Sequence, residues 1–457
     1  MLNPFKRLFD RNAVELELDH IQGYVLSDRP TPYYGTHALL RFDSPAAGRA
    51  LLARIRPLLL SAHDWQDHAP ADAVWMALAL SFTGLQALAL PEATLQSFPE
   101  AFRAGMAARA KQLHDVGEND PQHWEAPYGQ QQIHAALTII AGDEAQWQAK
   151  REQAEQALAE LPGVQVLGQH DFAMPTDITN VFGFRDTISN PDVAGSGAEP
   201  LPGYGRPIKP GEFLLGYPGE SRVVFPTPQP EVLGKNGAYL VFRKYHSRVA
   251  EFNRYIHEQA PDEAGRELLA AKFFGRWRSG APLTLAPEHD NPELGRDPHR
   301  NNDFTYKGDE LGKVVPLGCH MRRMNPRDTQ QSVISDVNLH RIIRRSVSFG
   351  PLLPPDQTQD DGQERGLYCL ALSAKAPETV EFLQSQWIND GNFLNLGDDK
   401  DPIVGLNAGT GTFTVPQEPL RRRYANLETF NVLRGGEYFF VPGLPAIDWL
   451  SQPHSQE

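Results

Sequence analysis

Cysteine is nearly absent from this sequence. Its 457 residues include only two cysteines, Cys319 and Cys369. Two cysteines so far apart cannot form a CxxC pair or a four-cysteine set. A disulfide framework, a structural zinc site of the four-cysteine kind, an iron–sulfur cluster and covalent c-type haem attachment are therefore excluded. Few cysteines is also what a reducing cytosol favours.

Positive charge and long apolar runs are scarce as well. Lys and Arg number 43 against 57 Asp and Glu, which gives a formal net charge of −14. Phosphate binding needs a basic face and anionic lipid repels an acidic one, so we expect neither nucleic acid nor a membrane as a partner. No apolar run reaches the ~18 residues of a membrane span, and the N-terminal segment shows no apolar signal core and no twin-arginine pair. These absences predict a soluble, cytoplasmic protein.

What the chain does contain is a succession of short apolar strands, each followed by a helix. In residues 36–55, the pattern predicts a helix with Ser44 as N-cap and Pro45 at its first position. In residues 74–91, the helix is expected to begin after Thr83. The same strand–helix order recurs further along the chain, at residues 134–161, 237–258 and 366–387.

The second half of the chain repeats the first. Residues 237–258 match residues 35–55 in the order of small residue, strand, Arg beside Phe, and helix, which indicates an internal duplication. A connector rich in Gly and Pro, residues 195–220, separates the halves, so we predict two domains, 1–205 and 206–457. The pattern fits either a parallel doubly wound sheet or two ferredoxin-like modules. No GxGxxG follows a strand, but the pattern alone does not decide between them.

Three segments carry residues suited to catalysis. Asp186, in VFGFRDTISNPDV, is either a turn or cap residue or a carboxylate for proton transfer. His320 has no second His at a zinc spacing. It is either structural or the single protein ligand that haem iron needs, since the porphyrin supplies four nitrogens. Arg344 is either a solvated arginine at a strand edge or a cation that stabilises negative charge in a pocket.

Together these segments make the chain resemble the dye-decolorizing peroxidases, a family of b-type haem peroxidases. The resemblance covers nearly the whole chain, from HIQGYVL at residues 20–26, through GFRD at 183–186 and GEFLLGY at 211–217, to GGEYFFVPG at 435–443. It implies an α+β fold of two ferredoxin-like domains with antiparallel sheets and peripheral helices. The first would carry the catalytic Asp loop, and the second would hold haem b in a cavity. It also implies a peroxidase that reduces hydrogen peroxide and oxidises dye or phenolic donors in one-electron steps. The length is similar to that of the longer, cytoplasmic bacterial-type subgroup.

The resemblance also implies roles for individual residues. His320 matches the iron ligand, and Asp401 is the candidate carboxylate partner of its other ring nitrogen. Asp186 and Arg344 match the catalytic pair that moves the peroxide proton and stabilises the charge of O–O cleavage. Arg327 matches a basic residue at a haem propionate. The other residues expected at the cofactor are Arg322, Thr187, Ser189, Leu367 and Cys369.

Three positions depart from the family pattern. Thr187 stands in place of the Gly that follows the catalytic Asp, which restricts the backbone. Ser348 stands in place of a Pro before Phe349. Cys369 stands where relatives tend to carry an aromatic residue, and a thiol there is open to oxidation. None of these changes removes the ligand, the acid–base group or the arginine.

The competing hypothesis is a haem-handling protein, either a porphyrin-modifying enzyme or a haem carrier or sensor. A carrier has no need of both Asp186 and Arg344. The family passes electrons from bulky donors through surface Tyr or Trp residues, of which this chain has 13 and 7, with Trp277 and Tyr368 as examples. Most of these aromatic residues are expected in the core. The sequence leaves open whether the protein is a monomer or a homo-oligomer.

Overall fold

The computed structural model describes residues 14–27, 29, 31–68, 74–174, 179–203, 205–329, 336–375 and 377–454. Its strands are β1 (Tyr33–Phe42), β2 (Val74–Leu80), β3 (Ala135–Ala141), β4 (Val164–Met174), β5 (Ala238–Ser247), β6 (Ile343–Arg344), β7 (Val347–Phe349), β8 (Gly366–Ser373), β9 (Gly411–Val415), β10 (Arg422–Leu427) and β11 (Asn431–Val441). Its α-helices are α1 (Gly23–Leu26), α2 (Pro45–Ile55), α3 (Ala62–His68), α4 (Phe82–Ala87), α5 (Glu92–Gln96), α6 (Glu100–Ala104), α7 (Ala110–Leu113), α8 (Glu144–Ala159), α9 (Glu231–Gly234), α10 (Val249–Gln259), α11 (Glu263–Phe274), α12 (Pro292–Arg296), α13 (His320–Met324), α14 (Pro377–Phe382) and α15 (Leu444–Leu450).

Strands from both halves of the chain join in one sheet of nine strands. The order is β4-β1-β3-β2-β11-β5-β8-β6, and β7 also pairs with β8. In the first half, α2 follows β1 and α8 follows β3, which is the split βαβ order of a ferredoxin-like module. In the second half, α10 follows β5 and α14 follows β8, and β11-β5-β8-β6 repeats β4-β1-β3-β2. Every pairing in this sheet is antiparallel, so the two ferredoxin-like domains are confirmed and a doubly wound parallel sheet is wrong.

The two modules meet at both edges. Strand β11 pairs with β2 through Phe440 and Leu80, and β4 lies against β7. The sheet therefore curls round an interior, where His170 of β4 lies 5.2 Å from Tyr368 of β8, measured between ring centroids. The domain boundary at residue 205 stays a prediction, in a segment that joins these modules.

The local sequence explains where helices begin. Ser44 caps α2 by accepting a hydrogen bond from the Ala47 N–H at 3.3 Å, and Pro45 occupies the first helical position, as predicted. The expected start after Thr83 is wrong, because α4 begins at Phe82 with Ser81 as its cap. The hydroxyl of Thr83 instead donates to the Ile133 carbonyl at 3.0 Å, next to β3.

A second hydrophobic core carries the loops of the candidate site. It contains Phe182 and Phe184 before Asp186, Cys319 before His320, and Ile403 after Asp401, packed with residues of α10 and α11. Burying the neighbours of each candidate residue fixes the loops that carry them. None of the described helices is both long and apolar enough to cross a bilayer.

Candidate active site

His320 is the first residue of α13, and its ring is held by Asp401. The His320 Nδ1 lies 2.9 Å from Asp401 Oδ2, and the imidazole is partly exposed while Asp401 is fully buried. The other oxygen of Asp401 accepts from the backbone N–H groups of Ile403 at 2.8 Å and Val404 at 3.0 Å. The structure thus brings together the two residues that the resemblance implied as ligand and partner.

The electrostatics of this pair favour an ionised carboxylate. Burial by itself raises the pKa of Asp401, but the charge of His320 and hydrogen bonds from His320 and Val404 outweigh it, so the pKa is lowered. An ionised Asp401 accepts the Nδ1 proton, which leaves the lone pair on Nε2 of His320. Among the residues that the structure describes, Nε2 has no hydrogen-bond partner and no group of three His, Cys, Asp or Glu could hold a metal. The donor set therefore fits a metal that needs one protein ligand, as haem iron does.

The loop that carries Asp186 is tied to Arg344 through Asn190. The Arg344 N–H donates to Asn190 Oδ1 at 3.0 Å, and Asn190 Nδ2 donates to the Arg344 carbonyl at 3.3 Å. The Arg344 guanidinium donates to the Ile188 carbonyl at 2.5 Å. Within the described part of the chain, neither Asp186 nor Arg344 takes part in an ion pair. Sequence reasoning missed Asn190, although the Asn-Pro turn after Asp186 was its visible signal.

The backbone of the Asp186 loop is strained. Thr187 has φ of 63° and Ser189 has φ of 75°, the left-handed region that L residues other than Gly seldom adopt. Asp186 Oδ1 accepts from the Thr187 N–H at 2.7 Å, which fixes the carboxylate on its own loop. Thr187 therefore replaces the family's glycine at a position where a glycine would be unstrained. Backbone strain of this kind in a loop is typical of functional sites.

The face of β8 beside Arg344 carries the other candidate wall residues. Side chains alternate along a strand, so Leu367, Cys369 and Ala371 share one face, and the register pairs Ala371 with Arg344 and Leu367 with Ser348. Burial raises the pKa of the Cys369 thiol, against the opposing effects of a hydrogen bond with Ser346 and of the charges of Arg243 and Arg344.

A buried hydroxyl on this face has no partner. Ser348 is 5% exposed, and its Oγ makes no hydrogen bond with the described residues. A buried hydroxyl without a partner, beside Leu367 and Cys369, is consistent with a site that binds a cofactor or another ligand.

Arg322 and Arg327 are both engaged with the protein itself. Arg322 is fully buried, donates to the Val315 carbonyl at 2.8 Å and lies 4.3 Å from the ring centre of Tyr306. Arg327 donates to the Phe304 carbonyl at 2.8 Å. Contact of either guanidinium with a haem propionate stays a prediction.

A third arginine, Arg341, was missed by sequence reasoning. Burial first, and then the charges of Arg327 and Arg344, lower its pKa to about 10. Arg341 forms no ion pair with a described residue, and it donates to Asn325 Oδ1 at 3.4 Å. A partly buried guanidinium without an ion pair favours a nearby anion, because the anion offsets the cost of burying the charge. Its signal was present in the sequence, since Arg341 and Arg344 lie in the same HRIIRR segment.

The two aromatic residues taken as examples of electron relays are buried. Trp277 and Tyr368 are each 4% exposed. The Trp277 indole donates to the Ala286 carbonyl at 2.7 Å, as a core tryptophan does. Neither side chain offers a surface to a bulky donor.

Two family models match the chain. The model described as the DyP dimeric alpha+beta barrel domain matches residues 58–166, and the model described as Dyp-type peroxidase, C-terminal, matches residues 220–398. Dye-decolorizing peroxidase msp1 of Mycetinis scorodonius is 31% identical over 81% of this chain and 75% of its own length. Peroxidase 2 of the same fungus is 30% identical over 95% of this chain and 88% of its own.

Solved structures agree with these matches. An ancestral D-type dye-decolorizing peroxidase superposes with a TM-score of 0.82 and 29% identity, over 96% of this chain and all of its own. A dye-decolorizing peroxidase in complex with 2,6-dimethoxyphenol superposes with a TM-score of 0.83 and 26% identity, over 96% of this chain and all of its own. The pairing of His320 with Asp401, the bonding of the Asp186 loop to Arg344, and these matches along both halves lead to one conclusion: the chain belongs to the dye-decolorizing peroxidase family.

Proposed function

We propose that this protein is a haem b peroxidase that reduces hydrogen peroxide and oxidises aromatic donors such as phenols or dyes in one-electron steps. The observation that carries the proposal is that Asn190 and Ile188, on the loop of Asp186, bond to Arg344, while neither Asp186 nor Arg344 forms an ion pair with a described residue. A carboxylate and a guanidinium on two segments that are bonded to each other suit a reaction that moves a proton and separates charge.

Haem would supply the redox-active iron at which peroxide is reduced. His320 would hold the iron through Nε2, because Asp401 already takes Nδ1. Arg327 and Arg341 are the candidates for the propionates, and Arg322 is a more enclosed one. The proposed walls of the site are Thr187, Ser189, Leu367 and Cys369.

Asp186 is the proposed acid–base group. Its carboxylate would take the proton from one peroxide oxygen and return it to the other, so that water leaves. Arg344 would stabilise the negative charge that develops as the O–O bond breaks. Both roles need a fixed separation between the two side chains, and Asn190 with Ile188 provides it.

A haem-handling function is the weaker candidate. The deferrochelatase of Yersinia pestis is 26% identical over 172 residues, only 37% of this chain, whereas the peroxidases match along most of it. A carrier or chelatase also has no use for a strained loop that holds a carboxylate beside an arginine. The combination of Asp186 with Arg344 therefore favours the peroxidase.

The donor class and the compartment are also proposed. A related dye-decolorizing peroxidase binds 2,6-dimethoxyphenol, so we infer a phenolic donor here, and the net charge of −14 favours neutral or cationic donors over anionic dyes. Both cysteines are free, which supports the cytoplasmic location that the longer bacterial-type subgroup would share.

The decisive experiment separates haem binding from peroxide chemistry. His320→Ala should lose the Soret absorbance of the purified holoprotein, while His289→Ala, a change at an exposed histidine, should keep it. Asp186→Asn and Arg344→Leu should retain haem but slow the spectral change after peroxide by roughly 10²-fold or more in stopped-flow. Wild-type rates in both variants would favour the carrier, and an intact Soret band in His320→Ala would overturn the ligand assignment.

A further inference from the structure

A hydrogen-bonded tyrosine and histidine lie inside the curled sheet, away from the candidate active site. Tyr128 is 2% exposed, and its Oη lies 2.7 Å from His170 Nε2. The two rings are stacked, with centroids 5.8 Å apart and planes 14° apart. His170 lies on the edge strand β4 and is partly exposed, so the imidazole links a buried phenol to the surface.

The protonation states of this pair are set by its surroundings. Burial first, and then the charge of Lys244, lower the pKa of His170 to about 4, so the imidazole is neutral near neutral pH. Burial raises the pKa of Tyr128 well above its ordinary value, so the phenol keeps its proton. The bond therefore runs from the phenol O–H to a neutral imidazole nitrogen. The other titratable groups that face the pair are His37, Glu125, Lys244, Glu364, Tyr368 and Glu437.

Aromatic rings connect this pair to the strand that borders the active site. The Tyr368 ring lies 5.2 Å from His170 and 6.0 Å from Phe242, and Phe242 stacks on Tyr128 at 6.0 Å. Tyr368 sits on β8 next to Cys369, whose side chain points to the opposite face, beside Arg344. A series of ring-to-ring contacts thus runs from Tyr368, on the face of β8 opposite Cys369, to Tyr128.

We propose that Tyr128 and His170 form a proton-coupled redox pair that takes up an oxidising equivalent when no external donor is bound. The inference rests on the proposed peroxidase function, because the reduction of one hydrogen peroxide oxidises the holoenzyme by two electrons. In the step, one electron passes from Tyr128 through the Tyr368 and Phe242 rings to the oxidised cofactor, which is reduced by one. The phenol proton moves to His170 Nε2. The products are a neutral tyrosyl radical and an imidazolium.

Other tyrosines of the interior lack this arrangement. Tyr24 and Tyr239 are buried with hydroxyls that have no partner among the described residues, so their oxidation would leave a proton with no acceptor. Tyr438 donates to Glu381 at 3.0 Å, but that carboxylate is already paired with Arg109. His170 is neutral and forms no ion pair with a described residue, so Tyr128 is the interior tyrosine whose proton can pass to its hydrogen-bond partner as the electron leaves.

The first test follows the radical in the holoprotein. Protein containing ring-deuterated tyrosine is mixed with one equivalent of peroxide, without donor, and frozen for electron paramagnetic resonance. The tyrosyl signal should disappear in Tyr128→Phe and persist in Tyr239→Phe, the matched buried control. His170→Gln should slow its formation by roughly 100-fold, because the proton acceptor is lost. An unchanged signal in Tyr128→Phe, or one removed only by Tyr438→Phe, would overturn the proposal.

A second test does not depend on haem or peroxide. Photo-oxidised ruthenium tris-bipyridine serves as the oxidant for the full-length apoprotein, and tyrosyl formation is followed by transient absorption. We expect the yield to fall in Tyr128→Phe and not in Tyr239→Phe, and His170→Gln to slow the reaction. Equal yields of tyrosyl radical in all variants would overturn the proposal that Tyr128 and His170 form a redox pair. If this test succeeds while peroxide gives no reaction with the holoprotein, the proposed peroxidase function fails and the redox pair stands.

Discussion

The side-chain amide of Asn190 pairs with both backbone polar groups of Arg344. Its Oδ1 accepts from the Arg344 N–H at 3.0 Å and its Nδ2 donates to the Arg344 carbonyl at 3.3 Å. Arg344 returns a bond from its guanidinium to the carbonyl of Ile188, two residues before Asn190. A loop residue thus acts as an extra strand partner for β6. The arrangement sets the position of Asp186 relative to Arg344 before any ligand arrives.

Replacing Asn190 with Ala should cost both stability and rate. Two bonds are lost, and the half-buried N–H of Arg344 is left unpaired while its carbonyl keeps only a long bond from Arg345, so we expect the free energy of unfolding to fall by ~1–3 kcal/mol in urea titrations. The peroxide reaction of the holoprotein should slow by about 10–100-fold in stopped-flow, because Asp186 and Arg344 are no longer held together. Asn338→Ala is the matched control, since the Asn338 side chain makes no hydrogen bond with the described residues. A variant as fast as the wild type would show that Asn190 does not position the pair.

Thr187→Gly should stabilise the protein. Thr187 has φ of 63°, which costs an L residue ~1–2 kcal/mol, and the extra freedom of an unfolded glycine offsets ~0.5–1 kcal/mol. A net gain of about 0.5–1 kcal/mol is expected in the free energy of unfolding. Thr187→Ala keeps the Cβ and should stay less stable than the Gly variant. Equal stability of the two would mean that the left-handed backbone is not the source of strain.

The fold was predictable to the extent that it depends on periodicity. Each strand–helix unit has its own apolar pattern, and the duplication gave the number of modules, but only the family resemblance chose the antiparallel arrangement. The start of α4 was predicted two residues late, because Ser81 rather than Thr83 caps the helix, with an Oγ that also donates to the Ile133 carbonyl, a partner distant in sequence. The local sequence does not show which of these two neighbouring hydroxyl residues caps the helix.

The candidate site, like the fold, was only partly predictable from the sequence. Asp186, His320 and Arg344 stand in recognisable segments. Asn190 and Arg341 stand in the same segments as Asp186 and Arg344, but their significance lies in what surrounds them. Asn190 bonds to a backbone 154 residues away, and Arg341 matters because its partly buried charge has no ion pair among the described residues.

Asp401→Asn should weaken haem binding while leaving the fold intact. The amide retains the shape of the side chain but removes the charge that keeps the proton on His320 Nδ1. Loss of such a partner typically costs about 10–100-fold in affinity for the metal, which haem titration of the apoprotein would measure. Asp356→Asn, at an exposed loop position, controls for the loss of a carboxylate as such. Unchanged haem affinity would contradict the assignment of Asp401 as partner of the ligand.

The lowered pKa of Asp401 also leads to a prediction about the pH dependence of stability. The pKa of Asp401 is lower in the folded protein than in the unfolded chain, so its stabilising contribution is complete above the unfolded pKa of ~3.9 and is lost as the pH falls through the folded pKa. In urea titrations of the apoprotein, the stability advantage of the wild type over Asp401→Asn should be constant near neutral pH. It should shrink only in the acid range. An advantage that changed mainly above pH ~5 would point to a different titrating group.

The two cysteines should differ once peroxide is present. Burial raises the pKa of Cys319 to about 12 and raises that of Cys369, so neither forms the reactive thiolate readily, and both should resist iodoacetamide in the native apoprotein and react in urea. During turnover of the holoprotein, Cys369 faces the Asp186 and Arg344 side of β8, whereas Cys319 is enclosed in the second core. Peptide mass spectrometry should therefore find oxidation at Cys369 first, and Cys369→Ser should lose activity more slowly under excess peroxide. Oxidation of Cys319 before Cys369 would contradict the placement of Cys369 at the reacting centre.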